Sequence, residues 1–371
     1  MSCGRRIEKN VHIYMQSACM VGWGTHDRDR QRSSEEGKRA GIKGGINMNR
    51  KLIALALAAY LAVPAFGVQA AEAPGDAELS IAYQYGLGYA PVTIAQQLGL
   101  IEKAYEETTG SQLTITWNQM NSGADINTGI VSGDLDAGFM GVGPALTGIS
   151  QDLGYKIFSN LSGQEHGIMT NNEAIQSFDD LIGSDYQIAL VNLGSIQHIL
   201  LAKALDAKGY DPHALDSNIV AMKHPDGMSA LVSGAVAVHL TTNPYLFQER
   251  EEDSLTEIES LSEVCPAEDS FLVGIASEKI YEENPALYEA LVKGISDGMD
   301  YLNDHVEEAA EITAEYDGNE LEKEIEYLKQ GYYSLETKGI EATAQFMFEN
   351  GFLEKDPGSY ENLVFDNVKG N

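Results

Sequence analysis

Residues 79–98 read LSIAYQYGLGYAPVTIAQQL, and the pattern changes period inside the stretch. Leu79 to Tyr85 has the apolar density of a buried strand. Gly86-Leu-Gly88 breaks it, and Ala90 to Leu98 then has the spacing of a helix, with Pro91 early and Gly99 as the stop. A strand feeding a helix through a glycine turn is half of a βαβ unit. The same order recurs downstream. Gln112–Gln119 alternates like a strand, and Ser122 opens a helix that ends near Gly133. Leu135–Met140 is a short strand, and Gly141-Val-Gly-Pro144 starts the next helix. Strands are predicted at 155–160, 166–170, 187–192, 218–222, 236–241 and 271–276, with helices at 195–208 and 226–233. From Pro285 onward the chain reads as acidic helices, at 286–302, 306–316, 321–333 and 340–350. Alternating strands and helices predict an α/β protein with parallel sheets and a site beyond the carboxyl ends of the strands.

Composition narrows the class. The chain has 371 residues, 43% of them hydrophobic, and a net charge of −32. Its three cysteines are too few for a disulfide scaffold, and its charge argues against nucleic acid or an anionic membrane as partner. The charge is uneven. Residues 1–70 hold 11 basic and 5 acidic residues, whereas 71–371 hold 13 and 51, a net of −38, with Arg250 the only arginine. So acidic a body predicts a halophile-like, salt-exposed protein that gains stability from added salt.

The junction reads as a secretory signal at 48–70. Met48 to Lys51 is basic, Leu52 to Phe66 is apolar, and small residues end at Ala70, the expected cleavage point. The apolar run is shorter than the roughly 20 residues of a membrane span and contains Pro64. No cysteine stands directly after it, so a soluble periplasmic protein without a lipid anchor is expected. Residues 1–47 read as a non-native or disordered extension. Cys265 is then alone beyond the leader, with no triad partners around it.

Several segments together resemble a known family. Ile81–Tyr85 with Ala90-Pro91 and Leu98-Gly-Leu-Ile-Glu102 is one, and Asn121-Ser-Gly-Ala124 followed by Val131–Gly138 is the next. Gly141–Pro144, then Phe178–Gly183 with Gln187–Leu190 and Gly194–His198, continue the series. Val232–His239 with Asn243-Pro244-Tyr245 completes it. In this order they resemble the periplasmic solute-binding proteins of ABC importers, in the nitrate/sulfonate/taurine and thiamine-precursor group. The resemblance implies a two-lobed type II periplasmic binding fold with parallel-rich sheets flanked by helices and a ligand cleft between the lobes. It places the first lobe at 72–165, the second at 166–268, and a return to the first lobe at 269–371. It implies a non-enzymatic, monomeric protein that carries a small-molecule ligand to a membrane permease, without a cofactor. A periplasmic sensor module is an alternative, and an enzyme like the thiamine-pyrimidine synthases a more distant one. No nucleophile elbow, His-Glu-x-x-His or phosphate-loop motif supports catalysis.

Candidate ligand-binding residues follow from strand ends and helix starts. Tyr85 and Tyr89 are expected to wall the pocket, with Tyr83 or Tyr85 in the core. Asn121 and Ser122, Gly143, and Gly194 with Ser195 stand at helix starts, where Ser122 and Ser195 read equally as N-caps. His166, His198 and His239 read as hydrogen-bond donors to ligand rather than metal ligands, since no tight spacing joins them. Asn243 and Tyr245 complete the set. With Arg250 in an acidic helix, an anion would have to be held by helix N-termini, hydroxyls and histidines, and the same groups suit a neutral heteroaromatic ligand.

Overall fold

The computed structural model describes residues 75–371. The chain divides into two units, 1–70 and 71–371. The expected extension at 1–47 and leader at 48–70 lie outside the described residues.

Two sheets organise the described part. Strands β1 (Ala77–Tyr83), β2 (Leu113–Gln119), β3 (Ala137–Gly141) and β4 (Tyr155–Gly163) belong to the larger, as do β10 (Leu272–Ser277) and β11 (Tyr332–Tyr333). Strands β5 (His166–Thr170), β6 (Ile188–Leu190), β7 (Ile219–Ala221), β8 (Val238–Thr242) and β9 (Thr256–Ser260) form the smaller. The strand orders are β11-β4-β10-β3-β1-β2 and β7-β6-β8-β5-β9. Both repeat one plan. Three parallel strands joined by helical crossovers are followed by one antiparallel strand, β10 in one sheet and β5 in the other. That antiparallel strand is in each case the first after the chain has crossed from the other sheet, at 163–166 going out and 260–272 coming back. The sheets are therefore mixed, not parallel throughout: the crossings reverse the strand direction that helix crossovers preserve.

Burial explains the elements. In β1, Leu79, Ile81, Ala82 and Tyr83 are all buried, because helices cover both faces of the larger sheet. The 20-residue helix Pro285–Asp304 sets Leu287, Leu291, Ile295, Met299 and Leu302 on its buried face. Its Gly294 sits against Ile101, where an added Cβ would stand 2.4 Å from the Ile101 side chain, so only glycine permits this packing. Phe139 and Phe158 meet edge-to-face at 5.7 Å in the centre of this core.

The helix expected over 321–333 stops at Lys329, and Tyr332–Tyr333 instead pairs with β4 as an edge strand. β9 was not expected: Thr256-Glu-Ile-Glu-Ser260 has a single apolar residue, because it is an acidic outer strand with little to bury. Among the described residues no helix is long and apolar enough to cross a membrane.

Candidate functional site

Between the sheets lies a cleft of about 530 Å³, counting its open mouth. From the larger-sheet lobe it is lined by Tyr85, Tyr89, Asn121 and Gly141, and from the smaller-sheet lobe by Ser195, Gln197, Lys223, His224 and Asn243. Five helices start here. Tyr89, Gly141, Ser195 and Lys223 are the residues just before helices Ala90–Leu98, Val142–Ser150, Ile196–Ala207 and His224–Val232, and Gly123 begins Gly123–Ser132. First-turn N–H groups have no partner within their own helix, and helix dipoles place positive potential at that end, although the Ala90, Val142, His198 and Asp125 N–H groups already donate to Leu87, Phe271, Ser195 and Ser122. Several such ends facing one cleft favour a negative ligand group.

Two side chains sharpen this. Lys223 is the one lysine or arginine lining the cleft among the described residues, and no carboxylate lines it. Its Nζ lies 5.0 Å from the centre of the Tyr85 ring and 3.9 Å from Asp226. Asn243 is 1% exposed, yet neither its amide oxygen nor its amide nitrogen has a hydrogen-bond partner among the described residues. A buried amide left unpaired costs on the order of 1–3 kcal/mol, so a lining asparagine in this state is free to bond a group that enters the cleft.

Of the candidates, Tyr85, Tyr89, Asn121, Ser195 and Asn243 come together in the cleft, with Tyr83 in the core at 3% exposure. Ser195 is a cap as well, accepting the His198 N–H at 3.3 Å.

The other candidates lie elsewhere. Ser122 caps its helix through the Asp125 N–H, donates to the Asp125 carboxylate, and does not line the cleft. Gly143 faces the opposite lobe: an added Cβ would stand 3.2–3.3 Å from Ile196 and Ile199, so this glycine lets the lobes approach one another rather than the ligand. Gly194 spends its N–H on His198 Nδ1 at 2.9 Å. That bond leaves the His198 proton on Nε2, which donates to Asp216 at 2.8 Å. His213 pairs with the same carboxylate and donates to the Asn350 carbonyl. The three groups His198, His213 and Asp216 lie close enough to surround a cation, but a metal would have to displace the Nε2 proton that the Gly194 bond fixes. His166 is buried against Phe271 with neither ring nitrogen bonded, and His239 is fully buried on β8. Tyr245 stacks on His224 and lines an adjoining chamber with Tyr85, Tyr316 and Gln248.

Lys223, His224, Gln197, Gln164 and Thr242 were missed. The helix was expected from Asp226, but Pro225 is at its start, where proline is favoured. Weighing Pro225 as a start signal moves the helix back to His224 and puts Lys223 at its cap. Arg250 is indeed remote, held by Glu165 at 3.0 Å and Glu257 at 2.8 Å.

Residues 72–316 match the family model described as NMT1-like family. The chain belongs to the NMT1-like family. This NMT1-like chain is 24% identical over 330 residues to the taurine-binding periplasmic protein of Escherichia coli (strain K12), covering 83% of this chain and 96% of that one. Its fold is that of the periplasmic binding proteins. It superposes on the alkanesulfonate-binding protein SsuA of Xanthomonas axonopodis pv. citri bound to MOPS with a TM-score of 0.64 at 16% identity, covering 79% and 99% of the two chains. The nitrate-binding protein NrtA of Synechocystis PCC 6803 gives 0.61 at 13%, covering 77% and 83%.

Proposed function

We propose that this protein is the periplasmic substrate-binding component of an ABC importer and that its ligand is a small oxyanion, with an organosulfonate the best fit. The observation that carries the reading is the unpaired Asn243 amide beside Lys223, at a cleft onto which helix N-termini open. Family membership and the taurine-binding relative support the transport role. The leader at 48–70 would deliver the chain to the periplasm, and the acidic surface fits a salty one.

The lining favours one kind of sulfonate. A zwitterion such as taurine needs a partner for its ammonium group, and no carboxylate lines the cleft among the described residues. Tyr85, Tyr89 and Phe271 instead offer aromatic surface to a neutral or ring-bearing tail. The protein acts by binding and closure rather than by catalysis; the lining serine, Ser195, is engaged as a helix cap.

A thermal-shift screen with ethanesulfonate, an aryl sulfonate, taurine and nitrate tests this. Ligand at 100 times its Kd stabilises by about 2.7 kcal/mol, which for a protein of this size is a rise of about 5 °C. The neutral-tailed sulfonates should shift the melting point more than taurine does. No shift with any of the four would reject the assignment, and a larger shift with taurine would reject the tail preference.

A further inference from the structure

A line of four side chains leads from the cleft into the smaller-sheet lobe. The Gln197 amide nitrogen lies 2.9 Å from His224 Nε2, His224 Nδ1 lies 3.5 Å from His239 Nε2, and His239 Nδ1 lies 2.6 Å from Glu249 Oε1. Gln197 and His224 line the cleft, whereas His239 and Glu249 have no exposed surface. We propose that the cleft takes its anion together with one proton, held on His224 and shared along the chain Gln197–His224–His239–Glu249. This rests on the anion reading above and extends it.

The geometry permits such a chain to run in two directions. With the Gln197 NH₂ donating to His224 Nε2, the His224 Nδ1–H donates to His239 and the His239 Nδ1–H to Glu249. With the amide turned over, Glu249 donates to His239, His239 to His224, and His224 Nε2–H to the Gln197 oxygen. Adding a proton from solvent gives a His224 imidazolium with both N–H groups engaged, one on Gln197 and one on His239, and the bound anion balances its charge. Gly227 makes the arrangement possible: an added Cβ there would stand 2.6 Å from His239 Nε2, so a side chain would push the first helical turn off the His239 ring.

Surroundings set the sign. Without an anion, burial pushes His224 down to about 3, with the nearby charge of His239 acting the same way. Burial likewise pushes His239 and His166 down to about 3 and Glu249 up to about 8. The groups facing His224 are Gln197, His239, His166 on β5, the Tyr245 ring stacked at 5.7 Å, and Lys223 preceding it, with Asp226 paired to Lys223 and Glu249 behind His239. None but the buried Glu249 offers an anion along the chain, and Glu249 is itself protonated below about 8. A negative ligand is therefore the missing charge that lets His224 hold a proton. Because binding raises the His224 pKa from its low ligand-free value, affinity must rise as pH falls between the bound and free values, by at most about tenfold per pH unit for one linked proton.

The test is calorimetric titration of ethanesulfonate into the full-length protein, from about pH 5.5 to 8, in buffers of different ionisation enthalpy. The expected result is a heat that depends on the buffer, corresponding to uptake of up to one proton, and a Kd that tightens toward acid. His224→Gln, which keeps a neutral hydrogen-bonding side chain, should remove both the proton uptake and the pH slope. Buffer-independent heats with a flat Kd would overturn the proton linkage while leaving the anion assignment intact. A pH slope that persists in His224→Gln would overturn the role of this chain. Absence of binding at every pH, with the fold intact by circular dichroism, would reject the anion assignment and the linkage with it.

Discussion

Replacing Lys223 by glutamine is expected to weaken sulfonate binding about 30-fold, while the free protein melts at an unchanged temperature. Charge-assisted hydrogen bonds contribute about 1.5–3 kcal/mol, and 2 kcal/mol corresponds to about 30-fold in Kd. The loss should be large because no other permanent cation lines the cleft, the proton on His224 being taken up only with the anion. Arg250 is engaged by Glu165 and Glu257, and no other lysine or arginine lines the cleft among the described residues. Stability should hold because the only ion pair of Lys223 among the described residues is a 3.9 Å contact with the exposed Asp226, a type worth about 0–1 kcal/mol. Calorimetric titration of wild type and variant at one pH reads the effect. Equal affinities would mean that the helix N-termini and amides hold the anion without Lys223.

The second large effect concerns closure. Gly143→Val places a branched side chain where even a Cβ would lie 3.2–3.3 Å from Ile196 and Ile199. Helix Val142–Ser150 belongs to the larger-sheet lobe and helix Ile196–Ala207 to the smaller, so the clash exists only when the lobes are together. Overpacking costs about 1–3 kcal/mol, and here it falls on the closed conformer alone, which lowers apparent affinity by that conformer's lost population. Binding is expected to weaken by about 5- to 150-fold. Small-angle scattering should show a radius of gyration that no longer contracts when ligand is added. Wild-type affinity together with normal contraction would show that the glycine contact does not limit closure.

Much of the fold could be read because its signals are local. The helix Ala90–Leu98 is bounded by Pro91 and Gly99, and the structure ends it at those residues. The crossings were harder: nothing local in His166–Thr170 or Leu272–Ser277 says that each inserts antiparallel into a sheet begun elsewhere. The cleft was half legible for a related reason. Tyr85, Asn121, Ser195 and Asn243 stand beside turns that sequence marks with glycine or proline. Lys223 and His224 were hidden by placing a helix start at Asp226, two residues late. His239 looked like a ligand contact because it falls toward the end of a predicted strand, but the side chain's partner is Glu249, ten residues on, and only the folded helix Tyr245–Arg250 brings that carboxyl beneath it. Gly143 was read as a ligand-binding position at a helix start, but what approaches it is the other lobe.

The central claim is that an oxyanion occupies the cleft between the lobes and completes the unpaired Asn243 amide. A crystal structure with ethanesulfonate bound measures this most directly. It should show the sulfonate within hydrogen-bond distance of Lys223 Nζ and the Asn243 amide nitrogen, with first-turn N–H groups of the surrounding helices on its remaining oxygens. A sulfonate bound away from the cleft, or one in the cleft that leaves both Lys223 and Asn243 without contact, would contradict it.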